Sequence, residues 1–395
     1  MKLESGSYFA ATEPASTTLN ANRHQQALQR CIVKLRDTMP IIGVRNPKIG
    51  TKNNHWTYCR PYDWVVSFHA GQLWLAYQLT FDPVFLNAAR ARRPVFRAIL
   101  DHQRAQDHDL GFQFSLSCVA EWLMTCEPES HAMALEAARL LLNRYRPEGR
   151  YIQAWNALPP HGGMDAELAN GRIIADTMQN LALLYWAFAE TGRVDFRDAA
   201  NGHAETTLNK LVRSDDTSFH TFRFDPMSGK PVGGETHQGY ADDSCWSRGQ
   251  AWLIHGFAQS AAVTGSQTYL DAACRLAAKA EELMGSDTVP AWDYNAPKDK
   301  PVSRDSSAGA VMAAGLYMLA QQSTVDAARW RDFGDRLIAG LLDSCDLTAD
   351  PQALGLLAHG AAHVGSGYSD TMLPYGDYYF MEALMRSLGH TQFFW

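Results

Sequence analysis

Apolar residues recur along the chain at intervals of three and four, the spacing that gathers them on one face of an α-helix, and two-residue alternation is scarce. The pattern predicts helices over 22–39, 63–80, 82–104, 112–126, 130–145, 172–191, 194–212, 244–264, 267–285, 305–322, 327–345 and 374–388. The punctuation agrees. Asp82-Pro83 opens one segment, where proline fits the first helical turn, and Gly192, Gly265 and Gly285 stand where helices should stop. Helices in sequential pairs predict an all-α (α/α)6 barrel, a toroid of inner helices ringed by outer ones. No linker or low-complexity stretch divides the chain, so residues 22–395 read as one barrel domain behind an N-terminal extension of residues 1–21. The longer non-helical segments, 40–62, 106–111, 146–171, 213–243, 286–304 and 346–373, hold many of the His, Trp, Asp and Gly residues. Such loops on a rigid helical frame are where a site should form.

Composition narrows the function mainly by exclusion. The 395 residues, 46% hydrophobic and 19% charged, suffice for a full core. No stretch approaches the roughly 20 apolar residues of a membrane helix. Met1 to Thr18 does not read as a signal peptide. The expected location is therefore cytoplasmic, or periplasmic if a leader was removed. Seven cysteines, an odd number without a C-x-x-C pair, read as free thiols. A net charge of −7 without a basic run argues against nucleic acid as a partner. The fourteen histidines lack H-E-x-x-H or comparable spacing, so no metal is expected. Gly233-Gly234 has no following Gly-Lys-Ser/Thr, and no Gly-x-Ser-x-Gly elbow occurs. Neither cofactor nor membrane contact is expected, and the sequence carries no signal of oligomeric state.

Three segments hold residues suited to chemistry. In His108-Asp109-Leu110-Gly111-Phe112, Asp109 either caps the helix that follows or sets a carboxylate at the barrel mouth. Asp176 falls in the first turn of an apolar helix, with Asn180 on the same face. It either complements the helix dipole or projects inward, where desolvation would raise its pKa and let it hold a proton. The third runs from His220 to Trp252. Ser244 reads as a helix cap, with Arg248, Trp252 and His255 on one face beyond it. An interior arginine and tryptophan suit a sugar site, since aromatic faces stack on pyranose rings and a guanidinium clamps a carboxylate. The plainer alternative is a buried ion pair of Arg248 with Asp242 or Asp243.

With these residues the sequence resembles the unsaturated glucuronyl hydrolases of glycoside hydrolase family 88, from about Trp64 onward. The resemblance covers 108–112, the Asp176 to Trp186 helix, His220-Thr221 with Phe224-Asp225-Pro226, and His237-Gln238-Gly239-Tyr240. It continues through 248–252, Arg304-Asp305-Ser306-Ser307-Ala308 and Gly376-Asp377-Tyr378-Tyr379-Phe380. It implies the (α/α)6 barrel, Asp176 as general acid/base and Asp109 as the second essential carboxylate. His108, His220, Gln238, Arg248 and Trp252 match substrate-binding positions, and Trp155 adds a looser one. At the start of the early inner helix His69 stands where relatives carry a pocket tryptophan.

The implied substrate is a lyase-generated oligosaccharide ending in a 4,5-unsaturated uronate. The implied route is hydration. Protonated Asp176 gives a proton to C4, and the resulting carboxylate activates a water that adds at C5. The hemiketal then opens and expels the aglycone. Asp109 would stay ionised or share a hydrogen bond, two carboxyls with separated pKa values dividing the roles. Direct glycosidic hydrolysis by the pair is the competing mechanism. Alternatives are an unsaturated rhamnogalacturonyl hydrolase, an epimerase on the same toroid, and a non-catalytic sugar-binding protein. The 365–373 loop has no Lys or Arg, and its Asp370 would repel a sulfate. An uncharged neighbouring sugar is therefore expected.

Overall fold

The computed structural model describes residues 15–60, 62–156, 169–297 and 302–395. The predicted loops 146–171 and 286–304 lie partly outside these residues, as does most of the predicted extension 1–21. The helix predicted over 22–39 already begins at Ala15 and runs to Ile42 (α1).

Helices buried nearly all round alternate with helices that bury one face. The buried set is Phe68–Thr80 (α2), Leu110–Phe114 (α5) continued by Ala120–Thr125 (α6), Thr177–Thr191 (α8), Ser247–Thr264 (α10), Ser306–Gln322 (α12) and Pro374–Ser387 (α14). Each packs on the next, and α14 closes on α2. The outer set is α1, Pro83–Arg90 (α3) with Arg93–Leu100 (α4), Pro128–Leu142 (α7), Val194–Lys210 (α9), Gln267–Met284 (α11) and Ala327–Ser344 (α13). This is the predicted (α/α)6 barrel.

Departures from the prediction have local causes. Segment 82–104 breaks at Ala91-Arg92, where the Arg92 guanidinium turns to the carbonyls of Gly43 and Arg45. Between α5 and α6 the inner helix takes a π turn over Ser115–Val119, fully buried, with the Ala120 amide bonding back to the Ser115 carbonyl. Such turns insert a residue into a helix and recur at functional sites. Residues 172–174, predicted as helix, form a strand instead. Arg172–Ile174 (β1), Thr221–Phe224 (β2) and Pro231–Glu235 (β3) make an antiparallel sheet in the order β1-β2-β3. Ile174 pairs with Thr221, which sets Asp176 beside His220, and the Ala175 amide donates to the His220 carbonyl at 3.0 Å.

Candidate active site

The N-terminal ends of α5 and α8 come together because Gly111 has no side chain. A Cβ there would lie 2.2 Å from Asn180 Cα. The Phe112 amide donates to Asn180 Oδ1 at 2.6 Å, locking one helix start to the other. Asp109 and Asp176 both occupy the position just before their helices, yet neither side chain makes a capping bond. The Oδ1 atoms of both are buried without a partner. The capping reading of Asp109 thus fails, and neither carboxyl spends its Oδ1 on a protein partner.

Burial dominates their protonation. Asp176 is pushed up to about 7, against the helix-start amides and the Arg248 charge that oppose the rise. Asp109 is held well above the usual carboxylate range by burial and by the neighbouring charges of Asp107 and Asp176. Burial thus favours the protonated form of both carboxyls. His108 Nε2 lies 3.5 Å from Asp109 Oδ2, and its Nδ1 meets Thr177 Oγ1 at 3.0 Å.

Beyond Asp176, His220 is buried, and its Nδ1 accepts from the amides of His237 and Gln238, both at 3.0 Å. That fixes the tautomer, so Nε2 carries the hydrogen, and it has no partner. Burial and nearby cationic groups hold its pKa well below the ordinary histidine range. The ring is a neutral donor whose buried N–H is unspent. Gln238 Nε2 reaches the Ala362 carbonyl at 3.2 Å. Trp155 is partly exposed, 5.5 Å edge-on from the His237 ring and 5.9 Å below the Arg172 guanidinium. Its loop is held by Arg144, which donates to the carbonyls of Gln153, Ala154 and Trp155.

Several predicted roles change. Arg248 pairs with neither Asp242 nor Asp243 but with Asp305, both side chains buried. It also donates to the carbonyls of Ala361 and Ala362 at 2.7 and 2.8 Å. The guanidinium fork is occupied in holding the 361–362 loop. Trp252 is 1% exposed, walled by Phe112 at 5.5 Å and Tyr379 at 5.4 Å. It lines the shaft below the carboxyls and presents no open stacking face. His69 is buried beside Arg92 and Gln72, while Phe68 takes the place among Phe112, Tyr375, Tyr378 and Tyr379. Successive helical residues point about 100° apart, so His69 turns away from the shaft. Ser244 caps no helix: α10 starts at Ser247, and Ser244 Oγ donates to Asp293 Oδ2 at 2.6 Å. Asp370 is not bare, since its Oδ1 lies 2.9 Å from His359 Nδ1.

Sequence reasoning gave no role to His237, His363 or Arg172, which share the mouth with Trp155. The His237 and His363 rings are 5.3 Å apart. His237 stood in a quoted motif, whereas His363 lies in a loop without periodicity. Among the described residues no group of acidic, His and Cys side chains is arranged to hold a metal ion, and no helix is long and apolar enough to cross a membrane.

No family model matches the chain. Curated relatives do. An unsaturated glucuronyl hydrolase of Bacillus sp. (strain GL1) is 36% identical, covering 92% of this chain and 96% of the relative. An unsaturated chondroitin disaccharide hydrolase of Streptococcus pyogenes serotype M1 is 34% identical over 91% of this chain and 90% of its own. The crystal structure of the Bacillus sp. GL1 enzyme superposes with a TM-score of 0.86, covering 92% of this chain and 96% of that one. The unsaturated glucuronyl hydrolase from Streptococcus agalactiae, 28% identical, also superposes at 0.86 and covers 100% of both chains.

Proposed function

The chain belongs to the unsaturated glucuronyl hydrolase family, and from that premise we propose how its residues divide the work. The enzyme is a glycosidase that releases a 4,5-unsaturated uronic acid from the non-reducing end of an oligosaccharide by hydrating the C4=C5 enol ether. The observation that carries the residue assignment is the buried Asp176 carboxyl, titrating at about 7 with an unpartnered oxygen. A group with that pKa can deliver a proton and then take one back at neutral pH. Asp176 protonates C4. Its carboxylate next draws a proton from the water adding at C5, and the hemiketal formed collapses with loss of the aglycone.

Asp109, beside His108, stabilises the positive charge that develops at C5 and shares the remaining proton with Asp176. The neutral His220 Nε2–H donates to the uronate, and Gln238 frames the same side. Trp155 stacks on the sugar at the mouth. Arg248 contributes its field and the position of the 361–362 loop, and Trp252 the apolar wall. We also place the enzyme in the cytoplasm, a reducing compartment, because its seven cysteines are free thiols.

Turnover in heavy-oxygen water tests the route. The label is expected at C5 of the released keto sugar, because hydration precedes cleavage. Label confined to C1 would establish direct glycosidic hydrolysis instead.

The neighbouring sugar is read as uncharged. The 365–373 loop offers no Lys or Arg, and burial and Arg248 lower the His363 pKa, leaving it neutral. On matched unsaturated disaccharides, kcat/KM is expected to be no higher with a sulfated aglycone. A tenfold preference for sulfate, about 1.4 kcal/mol of transition-state binding, would overturn this reading.

A further inference from the structure

The residues that follow α14 do not trail off the barrel but fold into its far end, where the inner helices finish. The Gln392 carbonyl accepts from Gln78 Nε2 at 3.0 Å. Phe393 lies under the Arg386 guanidinium at 3.9 Å, and Phe394 is buried. Trp395 is partly buried and is anchored by its indole. Its Nε1 donates to the buried Glu382 Oε2 at 2.7 Å. Its ring lies 5.8 Å from Tyr379 at an interplanar angle of 7°, and 6.0 Å from Phe112. Phe112 is the residue whose amide ties the Asp109 helix to Asn180.

On its other side Trp395 lines a cavity of about 510 Å³, with Gln78, Gln259, Gln322 and Phe393 also in the wall. Both polar atoms of the buried Gln259 amide lack a protein partner. A space of that size with unpaired polar atoms in its wall holds water. The Trp395 indole thus lies between this wet space and the packed rings of Phe112 and Tyr379.

We propose that the 389–395 tail is a plug, and that Trp395 is a positioning residue which keeps water from reaching the carboxyl pair through the barrel. The proposal rests on the assignment of Asp176 as the proton donor. Its physical content is desolvation. Burial is the largest cause of the raised Asp176 pKa, so water admitted past Phe112 and Tyr379 would bring that pKa down. The protonated form is then lost at lower pH, and the alkaline limb of kcat moves down with it.

The test is the kcat–pH profile of Trp395→Ala, Trp395→Leu and Trp395→Phe beside the native enzyme. Trp395→Ala is expected to move the alkaline limb down by roughly half a pH unit or more, with a smaller shift for Trp395→Leu. Trp395→Phe keeps a ring in the gap and should stay close to the native profile. Should Trp395→Ala not fold, the Leu and Phe pair decides. An unmoved limb in a folded Ala or Leu variant overturns the plug. So does an equal shift in all three, which would assign the effect to the lost hydrogen bond with Glu382. Failure of the catalytic assignment is a separate result, full activity in Asp176→Asn.

Discussion

Asp176→Asn is expected to leave a folded protein that binds substrate but turns it over at least about 10²- to 10⁴-fold more slowly, the usual worth of general acid–base catalysis. The amide keeps the shape of the carboxyl and neither donates nor recovers the C4 proton. The loss should fall on kcat, with KM little changed, because the native residue acts on charge that develops only in the transition state. Stability should move in the opposite direction. An acid raised from 3.8 to about 7 in the folded state favours folding while it is protonated. Its contribution is complete below the unfolded value and is lost as pH rises through about 7. The neutral Asn escapes that loss, so the variant should melt at or above the native temperature, by a margin that widens as pH rises from the unfolded value toward about 7 and then levels off. Thermal scans at two pH values and single-turnover kinetics check both halves. Near-native turnover would remove Asp176 from the proton-transfer role.

Gly111→Ala is expected to cost roughly 3 kcal/mol or more in stability, and kcat about 10²-fold, since a misplacement near 1 Å is enough for that. A Cβ placed 2.2 Å from Asn180 Cα meets backbone and cannot be absorbed by a rotamer. The α5 and α8 ends must separate, taking Asp109 away from Asp176 and the Phe112 amide away from Asn180 Oδ1. Denaturant melts and kcat for the same preparation test this together. A variant of native stability and rate would show that the helix ends do not need this contact.

The helical frame was legible because its signals are local. Asp82 caps α3 through the Val84 amide with Pro83 in the first turn, and Gly192 and Gly265 end their helices at φ 69°. The two carboxyls were singled out through motifs, but their buried surroundings were not legible. Whether Asp109 caps a helix or faces a pocket depends on what lies opposite, and that is Asn180, remote in the chain. Strand β1 was hidden for a related reason. Three residues are too few to show alternation, and the pairing that makes them a strand comes from β2, beyond an entire helix pair. Arg248 illustrates the limit. The nearby Asp242 and Asp243 were the obvious partners, yet the ion pair is with Asp305. The helix face that gathered Arg248, Trp252 and His255 was read correctly as interior. What it touches there was set by α12 and α14, which periodicity cannot align with α10.

The π turn at Ser115–Val119 makes helix length itself part of the site. One residue fewer in that turn would restore an ordinary α-helix, a locally more comfortable structure. It would also rotate everything upstream by about 100° relative to everything downstream. Asp109, whose place depends on α5 lying against Asn180, would swing toward the barrel wall. The inner helix therefore tolerates exchange of side chains at the turn more readily than any change in their number.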